Sequence, residues 1–106
     1  MKLNTDRIFK AIADPTRREI FRLLVMGSAL SITQLSSHFE ISRQGIRKHL
    51  QLLTEAEMVK IQKEGREQIC YAEANSLQPI KDWISYYDKF WDNKLNSLED
   101  YLDGSL

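Results

Sequence analysis

Four long donor side chains define the chemistry open to this chain. Gln44, Arg47, Lys48 and Gln51 recur at spacings of three and four within SRQGIRKHLQLLTE, residues 42–55. On a helix of ~3.6 residues per turn they make one stripe, which carries two positive charges and no carboxylate. Ile46, Leu50 and Leu53 repeat the period on the opposite side and supply the face a core would bury. Guanidinium, ammonium and carboxamide groups in a row suit phosphates and base edges. Ser42 is a good N-cap. Arg43, Gln44 and Gly45 form the first turn, where unpaired backbone N–H groups and the positive dipole end favour an anion. An ordinary solvated helix face has the same residue types, so the flanking segments decide between the two readings.

The segment upstream supplies a partner helix. Ser31 is placed to cap a short helix, ITQLSSHF, with Ile32, Leu35 and Phe39 on one side, and Glu40 and Ile41 connect it to Ser42. Two short helices joined by about three residues, the second capped and basic outside, form a helix-turn-helix pattern. Further upstream, residues 4–13 read as a helix with Ile8, Phe9 and Ile12 on its buried side. Asp14 then caps the next helix and Pro15 takes its first position, where the missing N–H costs nothing. Ile20, Leu23 and Leu24 give that helix its apolar stripe, and Gly27 is placed to end it as a left-handed residue. Arg17, Arg18 and Arg22 read as solvated or phosphate-facing.

Downstream the period changes from helical to alternating. Val59 and Ile61 lie on one side of a strand with Lys60 and Gln62 on the other, and Ile69 and Tyr71 alternate likewise after a break at Lys63, Glu64, Gly65 and Arg66. A β-hairpin directly after the basic helix makes a wing, whose Lys63 and Arg66 reach a nucleic-acid backbone or minor groove unless the turn is merely solvated. Residues 76–102 form the longest helical pattern, ~27 residues and ~40 Å. Pro79 sits in its first turn, and Leu77, Ile80, Ile84, Tyr87, Trp91, Leu95, Leu98 and Leu102 advance by threes and fours. Trp83, Tyr86 and Phe90 widen the stripe, so five of the ten aromatics fall within nine residues. A small domain cannot cover so much apolar surface, so the stripe reads, with a cofactor pocket as the other option, as packing against a second copy through a twofold interface. Ile80, Trp83, Ile84, Tyr87, Phe90, Trp91, Leu95 and Leu98 are its expected members.

With 106 residues and 42% hydrophobic content, the chain predicts one folded domain. No apolar run approaches the ~20 residues that cross a bilayer, and MKLNTDRIFK lacks a signal-peptide core, so a cytoplasmic location is expected. The formal net charge of +0 conceals a dipole: residues 1–66 hold 12 Lys/Arg against 7 Asp/Glu, whereas residues 67–106 hold 3 against 8. Such segregation lets a basic surface approach phosphate while an acidic half faces away or toward a partner. The single cysteine, Cys70, excludes an intrachain disulfide and reads as a small apolar strand residue, with a redox sensor as the other option. There is no nucleophile elbow, phosphate loop or telling Cys/His or Ser/His spacing, so an enzyme is not expected.

The order of elements and the strings FKAIADPTRREIFRLL, ISRQGIRKHLQLLTEAEMV and KEGREQICY resemble the ArsR/SmtB family of prokaryotic winged-helix repressors. The likeness is greatest to the non-metal branch that ends in a long aromatic helix, here LQPIKDWISYYDKFWDNKLNSLEDYL. The resemblance implies a mainly α fold with a small β-hairpin wing, a winged helix-turn-helix domain spanning residues 1–106. It implies a homodimer through the terminal helices, residues 4–13 and 76–102, bound to double-stranded DNA. The major-groove role falls on Ser42, Arg43, Gln44, Arg47 and Lys48, with Gln51 on the same stripe and Lys63 and Arg66 in the wing. Metal-sensing members carry a Cys-x-Cys pair where this chain has Ser31 and Thr33, and residues 76–106 contain no histidine, so no metal or other cofactor is expected. Asp82, Asp88 and Asp92 read as solvated charges, and His38 and His49 as structural or phosphate-facing. Glu57 stands where the family usually has a glycine, at a cost of order 1 kcal/mol if the backbone there is left-handed. The expected function is a homodimeric repressor with its recognition helices ~34 Å apart on a near-palindromic site. The alternative is a protein-interaction module that uses the aromatic helix and keeps a vestigial DNA face. The sequence specifies neither an operator nor an inducer or partner protein.

Overall fold

The computed structural model describes residues 2–104. Its elements run α1 (Lys2–Ile12), α2 (Pro15–Met26), β1 (Leu30–Ser31), α3 (Ile32–Phe39), α4 (Arg43–Glu55), β2 (Val59–Glu64), β3 (Glu67–Ala72) and α5 (Gln78–Leu102). The strands form one antiparallel sheet in the order β1-β3-β2.

Local chemistry starts and stops the three middle helices. The Asp14 carboxylate accepts from the Arg17 N–H at 3.1 Å, with Pro15 following it, and this bond holds the carboxyl pKa below its ordinary value. Ser31 and Gln34 form a reciprocal capping box: the Ser31 hydroxyl accepts from Gln34 N at 3.0 Å, and the Gln34 carbonyl accepts from Ser31 N at 2.8 Å. Ser42 caps α4 by accepting from Gly45 N at 3.0 Å. The turn between α3 and α4 is made by Glu40, left-handed at φ 54.

Ile8, Ala11, Ile20, Leu24, Ile32, Leu35, Ile46, Leu50, Leu53, Met58 and Cys70 build the core. Burying each aliphatic side chain stabilises the fold by roughly 1.5–3 kcal/mol. The expected stripes of α3 and α4 all point into this core, Phe39 from its edge.

Five expectations are corrected, the first at Gly27, which ends α2 at φ -105 rather than in the left-handed form. In α1 the buried pair is Ile8 and Ala11, while Phe9 is 36% exposed and meets Trp83 edge-on at 5.1 Å; small Ala11 gave no apolar signal. In the wing, Cys70 rather than Ile69 or Tyr71 faces the core, because the register pairs Cys70 with Ile61. A strand shifted by one residue presents its other face, and only the pairing fixes which. Lys63 and Glu64 belong to β2, which narrows the turn to Gly65 and Arg66, with Gly65 supplying the positive φ of 66 that such turns need. Finally, α5 starts at Gln78 rather than Ser76, with Leu77 in the cap position and no side-chain cap. β1 was not anticipated: two residues are too few to show a period.

Candidate nucleic-acid interface

Ser42, Arg43, Gln44, Arg47, Lys48 and Gln51 are all exposed along α4, while Ile46, Leu50 and Leu53 on its other side are at most 1% exposed. The start of the helix is held tightly. A Cβ on Gly45 would lie 2.7 Å from Ile41 Cγ2, so only glycine lets the turn pack this closely, and the Ser36 hydroxyl donates to the Ile41 carbonyl. At the far end the Gln51 amide donates to Glu55 at 3.2 Å, which gives the stripe a carboxylate neighbour that the spacing argument left out.

The wing folds back toward α4. Arg43 and Arg47 from α4 and Lys63 and Arg66 from the wing line one cleft of about 450 Å³, together with Ser31, Thr33, Glu67 and Gln68. Four cations thus face one carboxylate. Gln44, Lys48 and Gln51 do not line this cleft and lie on the open surface of α4. Gln68 went unnoticed in the sequence, and Thr33 was read there only as a position without a metal ligand. Gln68 is brought there by its pairing with Lys63, and Thr33 by the capping box that starts α3.

The basic residues divide into two groups. Arg43, Arg47, Lys48, Lys63 and Arg66 have no hydrogen-bond or ion-pair partner among the described residues. The arginines of α2 are all engaged. Arg17 donates to the carbonyls of Ala11 at 2.7 Å and Lys10 at 3.0 Å, and its third nitrogen lies 3.5 Å from His49 Nδ1 on α4. Arg18 donates to the Ile12 carbonyl at 2.7 Å, and Arg22 holds Glu19, lowering that carboxyl pKa and raising its own. Arg17 and Arg18 therefore terminate α1, satisfying carbonyls a helix end leaves open. His49 is half-buried beside Arg17.

At the positions of the metal-sensing thiolates, Ser31 is the buried cap of α3 and Thr33 is exposed. Cys70 is fully buried, and desolvation pushes its thiol up to about 11. Tyr71 on the outer face of the wing donates to the Glu64 carboxylate, which raises the phenol pKa. Glu57 follows α4 with a left-handed φ of 59, so the chain keeps the backbone that a glycine would favour and bears its strain.

The second expected surface lies on α5. Trp83, Ile84, Tyr87, Phe90, Trp91, Leu95 and Leu98 are 44–60% exposed, whereas Ile80 packs in part against the core. Trp83 and Tyr87 meet edge-on at 5.0 Å, continuing the Phe9–Trp83 contact along the helix, and Lys94 lies 5.5 Å from the Phe90 ring. Beyond its first turns the helix is bare: every residue from Lys81 to Gly104 is exposed. No helix among the described residues is long and apolar enough to cross a membrane.

A family model described as a helix-turn-helix domain matches residues 12–62. The transcriptional repressor SdpR of Bacillus subtilis is 36% identical over 92 residues, which span 85% of this chain and 99% of SdpR. The HTH-type transcriptional regulator Rv2034 of Mycobacterium tuberculosis is 28% identical over 98 residues, 92% of this chain and 88% of that protein. Among solved structures, an ArsR-like transcriptional regulator from Rhodococcus sp. RHA1 has a TM-score of 0.81 at 28% identity, over 96% of this chain and 93% of the other.

Proposed function

The chain belongs to the ArsR-type family of winged helix-turn-helix transcriptional regulators, and from that premise we propose that it represses transcription as a homodimer bound to a duplex operator. Members of this family regulate transcription rather than catalyse reactions, and no enzymatic activity is part of the reading. The observation that carries it is the division among the basic residues: Arg43 and Arg47 of α4 and Lys63 and Arg66 of the wing are unpaired around one cleft, with Lys48 unpaired on the open surface of α4, while the α2 arginines are bonded within the chain. Unpaired, one-signed groups are suited to phosphates because neutralising phosphate releases counterions.

In this reading α4 lies in the major groove. Gln44 and Arg47 sit near its N-terminus and reach base edges, where an amide pairs with adenine and a guanidinium with guanine through two bonds. Ser42, Arg43, Lys48 and Gln51 hold the flanking backbone, and Lys63 and Arg66 extend that hold through the wing. Pairing through α1 and α5 sets two recognition helices ~34 Å apart, one turn of duplex. The protein then acts in the cytoplasm, where its operator is, and needs neither metal nor cofactor. Ser31 and Thr33 offer no soft ligand.

The test is to incubate the purified protein with fragmented genomic DNA and sequence what it retains over a range of salt. The expected result is one near-palindromic motif whose binding weakens steeply as salt rises. Retained fragments that share no motif, held with little salt dependence, would favour the protein-interaction alternative and sink this reading.

A further inference from the structure

We infer that a pocket at the root of the wing is an effector site for a small amino acid that carries a second cationic group. Its coupling to DNA rests on the reading of the protein as an operator-binding dimer; the site itself does not. The pocket measures about 820 Å³, within the range of small-molecule sites, and is bounded by the start of α1, the end of α4, strand β2 and the link from β3 to α5. None of the residues expected to meet DNA lines it.

Two features of this corner point to an occupant. The Ser76 hydroxyl oxygen is buried without a hydrogen-bond partner, and an orphaned buried polar group is both destabilising and rare. Glu57 lines the same pocket with a left-handed φ of 59, and its carboxylate has no partner among the described residues. Backbone strain of this kind clusters where ligands bind. Neither the core nor the DNA face accounts for these two residues.

The lining sets the chemistry. Its ionised groups are Glu57, Lys60 and Glu73, all exposed, and none forms an ion pair among the described residues. Backbone bonds hold the two glutamates at one corner: the Glu57 N–H donates to the Thr54 carbonyl at 3.0 Å, and the Glu73 N–H donates to the carbonyl of Met58, the residue after Glu57, at 2.9 Å. Two negative groups and one positive are complemented by two cations and one carboxylate. Val59, Ile61 and Pro79 add apolar surface that suits a methylene stem. An α-amino acid with a side-chain ammonium or guanidinium has all three charges and the stem, and its N–H groups can donate to the Ser76 oxygen. A diamine lacks the group for Lys60, and an acidic amino acid sets carboxylate against carboxylate. The arrangement that holds this pocket also holds the cleft of Arg43, Arg47, Lys63 and Arg66, so a ligand that binds the pocket favours the cleft and tightens the hold on operator.

Calorimetric titration of the full chain with L-lysine and L-arginine, without DNA and at low salt, tests the site. Saturable binding of at least one of them is expected, with L-norleucine, which lacks the second cation, and cadaverine, which lacks the carboxylate, both clearly weaker. Glu57→Gln with Glu73→Gln, two exposed positions outside the core, should weaken that binding roughly tenfold. The far-ultraviolet spectrum and the operator affinity without ligand should stay as in the wild type. Adding the amino acid should raise operator affinity in the wild type and not in the double variant. No binding of either amino acid, equal binding of norleucine, or undiminished binding by the double variant overturns the site, and an amino acid that binds but loosens operator overturns the coupling. Binding by a chain that recognises no operator supports the site and removes the operator reading instead.

Discussion

α4 and α5 carry apolar stripes of the same helical period, and the stripes meet opposite fates. Ile46, Leu50 and Leu53 of α4 are sealed at 0–1% exposure, with α1, α2, α3 and β2 packed around that helix. The stripe of α5 stays about half exposed, with α1 as its main neighbour. Their ends differ too: Ser42 caps α4 with a side-chain bond, whereas α5 starts without one. Periodicity states that a face must be buried. Which chain buries it depends on how many neighbours the fold supplies, and α5 outruns them.

The comparison breaks first at Leu50. Replacing this 1%-exposed side chain by alanine should cost about 2–5 kcal/mol through lost burial and a cavity. Urea unfolding monitored by circular dichroism measures it; a loss below ~1 kcal/mol would mean the α4 stripe is no better covered than that of α5.

On α5 the expected loss is of association. Trp91→Asp with Leu95→Asp should leave the far-ultraviolet spectrum of a folded chain, abolish the dimer and lower operator affinity about a hundredfold, the low end of the gain from linking two binding units. Sedimentation and DNA titration on one sample decide it, since a dimer that survives both charges places the interface elsewhere.

The outer face of α4 allows a finer distinction. Arg47→Ala should cost ~1–3 kcal/mol on operator and little on scrambled duplex, while Lys63→Ala should weaken both about equally and reduce the salt slope by roughly one unit. Equal losses on both duplexes for Arg47→Ala would make it a phosphate contact. The smallest effect is a gain. Glu57→Gly should stabilise the fold by about 1 kcal/mol, since it relieves a left-handed non-glycine residue at φ 59, and an unchanged urea midpoint would show that the strain is offset locally.

Much of this molecule was legible because its signals are local. Asp14-Pro15, Ser31 with Gln34, and Ser42 each announce a helix start through bonds that span three residues. The opposite faces of α4 likewise follow from spacing alone. What escaped depends on partners distant in sequence. The core face of β3 was misassigned because Ile69, Cys70 and Tyr71 alternate plausibly either way until the pairing with Ile61 chooses. Arg17 gave no hint that it ties the end of α1 to His49, 32 residues away. Thr33 and Gln68 enter the cleft only once the wing has folded back. The family resemblance flagged the unusual residue at Glu57, and the backbone there kept its left-handed form.

The burial of Cys70 has a kinetic meaning. With its thiol pushed up to about 11 by desolvation, Cys70 is held as the unreactive thiol at neutral pH, and that sulfur sits beneath the sheet. Oxidants and alkylating reagents therefore reach it only when β3 parts from its neighbours. The rate of thiol labelling thus becomes a clock for opening of the wing, a motion that equilibrium DNA binding does not time.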